Sequence, residues 1–140
     1  MKVLNIHEVN DVRLDDYVRP EHGPDDVVVE MKACGICGSD LSYIKWGGIM
    51  REPGGVTPIG HEGAGKVLHV GANVSGIAPG DPVIINPMMT PSNVGSGGPE
   101  GAVVHELLVR DARLGDSILP SPEGISYDVA AMCEPLAVAM

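Results

Sequence analysis

Glycine and proline punctuate this chain heavily: nineteen Gly and twelve Pro fall within 140 residues. Glycine gives access to positive φ and proline removes a backbone donor, so both end regular elements. That density works against a helical bundle. It favours many short strands joined by tight turns, as in a barrel or sandwich. With no Phe, one Trp and three Tyr, the core has to be built from Val, Ile, Leu, Ala and Met. The length suits one domain with a proper core.

The strands are legible between the punctuation. Residues 3–6 and 12–17 form two short strands about the turn pair Asn10-Asp11. A polar loop with Pro20 and Pro24 follows. Residues 25–32 (DDVVVEMK) alternate most clearly, Val27, Val29 and Met31 on one face and Val28, Glu30 and Lys32 on the other. Residues 38–46 read as a short helical turn capped by Ser39 or Asp40, with Leu41, Ile44 and Lys45 at helical spacing. A loop over 47–58 leads to a strand over 63–70, closed by the turn Gly71-Ala72-Asn73. Pro79-Gly80-Asp81 turns the chain into 83–85. Residues 86–101 are irregular, and 103–109 and 114–119 are strands. The tail changes character. Ser126 caps a helix starting at Tyr127, with Asp128 placed against its dipole. Pro135 interrupts that helix and opens a second over 135–140, whose pattern is unfinished where the sequence ends.

A net charge of −10 argues against nucleic acid or an anionic membrane as partner. The first residues lack the apolar run of a signal peptide, and no segment approaches a membrane span. Three cysteines do not make a disulfide framework. Cys34 and Cys37 form a C-x-x-C, but no second such pair completes a four-cysteine zinc site. A redox pair would open a helix, whereas this one follows an extended run. Cys34 is therefore read as a small buried hydrophobe, and a reducing cytoplasm is expected.

Two glycine-rich signatures carry chemistry. Gly35-Ile36-Cys37-Gly38-Ser39-Asp40 is followed, about two dozen residues later, by Gly60-His61-Glu62-Gly63-Ala64-Gly65. Each holds a good zinc ligand, the Cys37 thiol and the His61 imidazole, and each has an acid close behind, Asp40 and Glu62. Together with Pro79-Gly80-Asp81-Pro82-Val83-Ile84, Leu119-Pro120-Ser121-Pro122-Glu123-Gly124 and Cys133-Glu134-Pro135-Leu136, these motifs resemble the zinc-dependent medium-chain dehydrogenase/reductase family, in its alcohol, polyol and threonine dehydrogenase branch. The resemblance covers nearly the whole chain.

It implies a mainly β fold: a partly open barrel of the GroES type with a few short helices. Residues 1–125 would form the catalytic, zinc-binding domain. Residues 126–140 would begin a helical connection to a coenzyme domain. That Rossmann domain is absent from this chain and expected after residue 140. Gly95-Ser96-Gly97-Gly98-Pro99-Glu100-Gly101 is no substitute, because it fails the G-x-G-x-x-G spacing and puts Pro where a helix should begin. The resemblance also implies roles. Cys37 and His61 are the thiolate and imidazole ligands of one catalytic Zn²⁺. The third ligand is Glu134 by preference, from its Glu-Pro match, then Glu62, then Cys133. Asp40 stands behind the ligand His61, fixing its tautomer, unless it merely caps the helix. Ser39 contacts the alcohol and starts a proton relay. Ser42 stands where many relatives have His, so a relay ending there lacks a base; water or His105 would have to replace it. Tyr43, Ile44 and Trp46 line a pocket or belong to the core. The segment 86–101 lacks the four cysteines that hold a structural zinc in other relatives.

The implied chemistry is hydride transfer between an alcohol or polyol and NAD or NADP, with zinc stabilising the alkoxide. The full-length enzyme would be a homodimer or homotetramer, and this stretch alone would be inactive with NAD(P). Its last helices would expose apolar surface. The rival from another class is a non-enzymatic GroES-like assembly or binding module. The zinc-free quinone reductase branch ranks behind both, because it lacks the Cys37/His61 pair.

Overall fold

The computed structural model describes residues 1–50 and 52–140. Two antiparallel sheets carry the fold. In the smaller, β1 (Lys2–Glu8) lies between β2 (Asp11–Asp16) and β4 (Thr57–Pro58). The β1–β2 turn puts Asn10 at φ 59°, a conformation asparagine tolerates better than most residues. The larger sheet runs in the order β7 (Glu106–Val109), β3 (Val27–Gly35), β5 (Glu62–Val70), β6 (Pro82–Ile85), β8 (Ile118–Pro120). A bridge between Val3 and Val104, and a bond from the Leu4 N–H to the Val103 carbonyl, join the sheets without closing them. The architecture is an open barrel, as the strand pattern predicts.

The core is aliphatic, as the missing Phe requires: Val27, Val29, Val67, Val83, Ile85, Leu107, Val109 and Ile118 form one cluster. Val28, on the opposite face of β3 from Val27 and Val29, is as fully buried as they are, so the strand is covered on both faces there.

Helix α1 (Gly38–Trp46) follows β3. Its N-cap is Cys37, not Ser39 or Asp40. The expected loop from 47 to 58 contains Arg51, which lies outside the described residues; its last two positions are β4. The expected strands over 103–109 and 114–119 are regular only in β7 and β8, and 86–101 opens with a 3₁₀ turn over Pro87–Met89. That segment is held by hydrogen bonds. The Thr90 hydroxyl donates to the Pro87 carbonyl at 2.7 Å, and the Gly95 N–H to the Glu100 carbonyl at 2.8 Å.

Helix α2 (Tyr127–Ala131) is capped by Ser126, whose hydroxyl accepts from Val129 N–H at 3.4 Å. It rests on the larger sheet through Ala130 and Ala131, against Ala64 and Ile84. Helix α3 spans Cys133–Ala139, so Pro135 sits inside its first turn rather than at its start. Proline is tolerated there because the first N–H groups of a helix have no intrahelical acceptor.

Candidate metal centre

Strand β3 ends at Gly35 and hands the chain to Cys37, which has an extended backbone and opens α1. Beside it, β5 begins at Glu62, and the sheet register pairs Gly35 with Glu62. A β-carbon added at Gly35 would overlap the Glu62 carboxylate, so glycine here makes room for that side chain. Gly60, at φ 90°, turns the chain into His61; a β-carbon there would lie 2.8 Å from the Cys34 sulfur.

Asp40 ties the two signatures together. It is wholly buried. Its Oδ2 accepts from the Cys37 N–H at 2.9 Å and its Oδ1 from the Gly60 N–H at 3.3 Å. The same Oδ1 faces His61 Nδ1 across 3.6 Å. No hydrogen bond satisfies that buried Nδ1. Asp40 thus serves the start of the helix, from the third position rather than the cap, and places the same carboxylate opposite the imidazole without bonding it. On the other edge of the imidazole, Ser39 Oγ lies 3.5 Å from Nε2.

Cys37, His61 and Glu62 each offer a ligand atom, and these atoms lie within 4.8 Å of one another. His61 and Glu62 are buried and Cys37 half-buried. A thiol, an imidazole and a carboxylate converging in this way, with an acid behind the imidazole, fit Zn²⁺. Glu134 and Cys133 fall outside this cluster. They sit on α3 beside a groove of about 260 Å³ bordered by Ile84, Asn86, Leu119 and Val138.

The other expected residues are accounted for. The three cysteines are free thiols. Burial, reinforced by the charges of Asp40 and Glu62, pushes the Cys34 thiol up to about 12. Such a thiol stays protonated, in keeping with a packing role, and it donates to the Gly35 carbonyl at 3.3 Å. The Ser42 hydroxyl donates back to the Gly38 carbonyl at 3.2 Å, as helical serines do. His105 is exposed, and its carbonyl accepts from the Met31 N–H. Trp46 is 67% exposed, which removes it from the core, while Tyr43 and Ile44 are half-buried. Sequence reasoning missed the Gly35–Glu62 fit and the bond from Gly60 to Asp40. The glycine heading each signature was the available signal.

The alcohol dehydrogenase GroES-like domain model matches residues 23–119. Over 88 residues the chain is 43% identical to sorbitol dehydrogenase of Rattus norvegicus, covering 60% of this chain and 24% of that protein. Among solved structures, 2R,3R-butanediol dehydrogenase from Bacillus subtilis superposes with TM-score 0.83 at 27% identity, over 99% of this chain and 45% of that one. A Sinorhizobium meliloti 1021 protein assigned as a zinc-binding dehydrogenase and bound to NADP superposes with TM-score 0.78 at 27% identity, over 97% of this chain and 42% of that one. The chain spans about a quarter of the curated relatives it matches and under half of these solved ones.

Proposed function

The chain belongs to the alcohol dehydrogenase GroES-like domain family, and on that premise we propose that it supplies the zinc-holding, substrate-orienting part of an alcohol or polyol dehydrogenase. The observation that carries this reading is the convergence of Cys37, His61 and Glu62 within 4.8 Å. Cys37, His61 and Glu62 hold Zn²⁺, with Glu62 taken over Glu134 as the third protein ligand because it lies inside the cluster. When bound, zinc supplies Lewis-acid polarisation of an alcohol oxygen, and a nicotinamide cofactor, NAD or NADP, supplies hydride exchange. Asp40 Oδ1, 3.6 Å from His61 Nδ1, is the acid placed to favour the proton on that nitrogen and so leave Nε2 free as a ligand. The Ser39 hydroxyl, beside Nε2, is placed to accept or pass the proton of a hydroxyl substrate. Residues 126–140 connect this unit to a nicotinamide-binding domain.

Zinc per chain tests the reading, measured by elemental analysis on the purified protein and on Cys37→Ser, Glu62→Gln and Glu134→Gln. One zinc per chain is expected, lost in Cys37→Ser, weakened in Glu62→Gln and retained in Glu134→Gln. Zinc lost only with Glu134 would move the third ligand to α3. No zinc in any form would favour the non-enzymatic module.

A further inference from the structure

A second polar site lies away from the metal centre, in a cavity of about 120 Å³ lined by Val3, Asn5, Tyr17, Pro58, Glu100 and Val104 among others. Asn5 on β1 pairs with Pro58 on β4, and Gly101 packs against that same stretch, so Glu100 is brought to the β1 side of the cavity. Two side chains lining it are more than nine-tenths buried, Glu100 at 4% exposure and Asn5 at 6%. Both are only half used. Glu100 Oε1 accepts from Arg110 Nε at 2.9 Å and lies 2.8 Å from Nη2, while Oε2 has no partner. Asn5 Nδ2 donates to Asp15 Oδ2 at 2.8 Å, while Oδ1 has none. Leaving buried acceptors unmatched is costly, and a ligand with several donors is suited to satisfy both. Glu106, also in the lining, is already bonded to Arg19 at 3.0 Å. The remaining walls are largely apolar, including Val3, Val104 and Leu107. Burial, then the Glu100 charge, raises the Tyr17 phenol above its usual range, so it stays a neutral hydroxyl.

We propose that this cavity binds a primary ammonium group, ammonium itself or an alkylammonium of one or two carbons. Such an ion brings three donors and a positive charge to the free oxygens of Glu100 and Asn5, and its short alkyl part meets the aliphatic wall. The net charge of −10 favours a cation over an anion at any such site.

The test is a titration with methylammonium chloride, followed by amide NMR of the whole protein, beside tetramethylammonium chloride and acetamide. Saturable shifts are expected at the Asn5 side-chain amide and the Gly101 N–H with methylammonium alone. Glu100→Gln should weaken binding by about tenfold or more. Val56→Phe, at a partly exposed lining position, should block entry while leaving every polar group in place. Equal shifts with tetramethylammonium would reduce the effect to ionic strength. Acetamide binding as tightly would make the site one for neutral donors. Unchanged binding in Val56→Phe would put the ion elsewhere. Each of these results overturns the proposal.

Discussion

Gly35 and Asp40 position the proposed metal ligands without being ligands themselves, and each makes a specific prediction. Gly35→Ala should push the Glu62 carboxylate aside, because the added methyl occupies its place. Zinc affinity is expected to fall by at least the roughly 10- to 100-fold that loss of an outer partner costs, measured by chelator competition; unchanged affinity would rule Glu62 out as a ligand. Asp40→Asn keeps the side chain's size but cannot accept at both positions that face Cys37, Gly60 and His61. A loss of similar size is expected. Cys34 offers an independent check: with its thiol pushed up to about 12, its thiolate fraction at pH 8 is about a thousandfold below that of an ordinary thiol. Iodoacetamide labelling mapped by mass spectrometry should find Cys34 almost unmodified, and rapid labelling would refute a packing role. At this scale the sequence was informative because the donors sit in local signatures. Local signatures do not by themselves separate the candidates for the third ligand. Glu62 reaches the cluster through the β3–β5 register, a non-local property, whereas Glu134 was favoured by a local dipeptide.

Among the elements, β3 is covered on both faces: Val28, across the strand from Val27 and Val29, has no exposure either. Val28→Ala should therefore cost about 2 kcal/mol. The same change at Val18, which is 90% exposed, should stay within about 0.5 kcal/mol. Chemical denaturation of the two variants compares them directly, and equal midpoints would mean that β3 is not enclosed. Turn chemistry made most boundaries legible, as at Asn10-Asp11, Pro79-Gly80-Asp81 and Ser126. The errors have a common cause. Thr57–Pro58 is a strand only because β1 lies beside it, and α3 begins before Pro135 because a helix's first turn tolerates proline. Neither fact is written in the residues concerned.

Across the whole molecule, charge sets the response to acid. Asp11, Asp15, Asp16 and Glu30 are held below the usual carboxylate range, chiefly by hydrogen bonds from Arg13, Asn5, Lys2 and Lys32 in turn. A carboxyl whose folded value lies below its unfolded one contributes stability above the unfolded value, and loses it as pH falls through the folded value. All four therefore favour folding at pH 7 and lose that contribution progressively as pH falls below about 4 toward their lower folded values. Self-repulsion acts in the opposite direction. The net charge of −10 shrinks as pH falls toward the isoelectric point near 4.7, which relieves the folded state before the paired carboxylates protonate. Stability should hold or rise slightly from pH 7 to about 5, then fall steeply below about 4. Because the Lys2–Asp16 and Arg13–Asp11 pairs are largely exposed, and repulsion between surface charges is screened too, added salt should flatten both limbs. Thermal midpoints across that range, at low and high salt, measure the balance. A midpoint that kept rising below pH 4 would mean that repulsion, and not the carboxylate pairs on β1, β2 and β3, governs how this open barrel responds to acid.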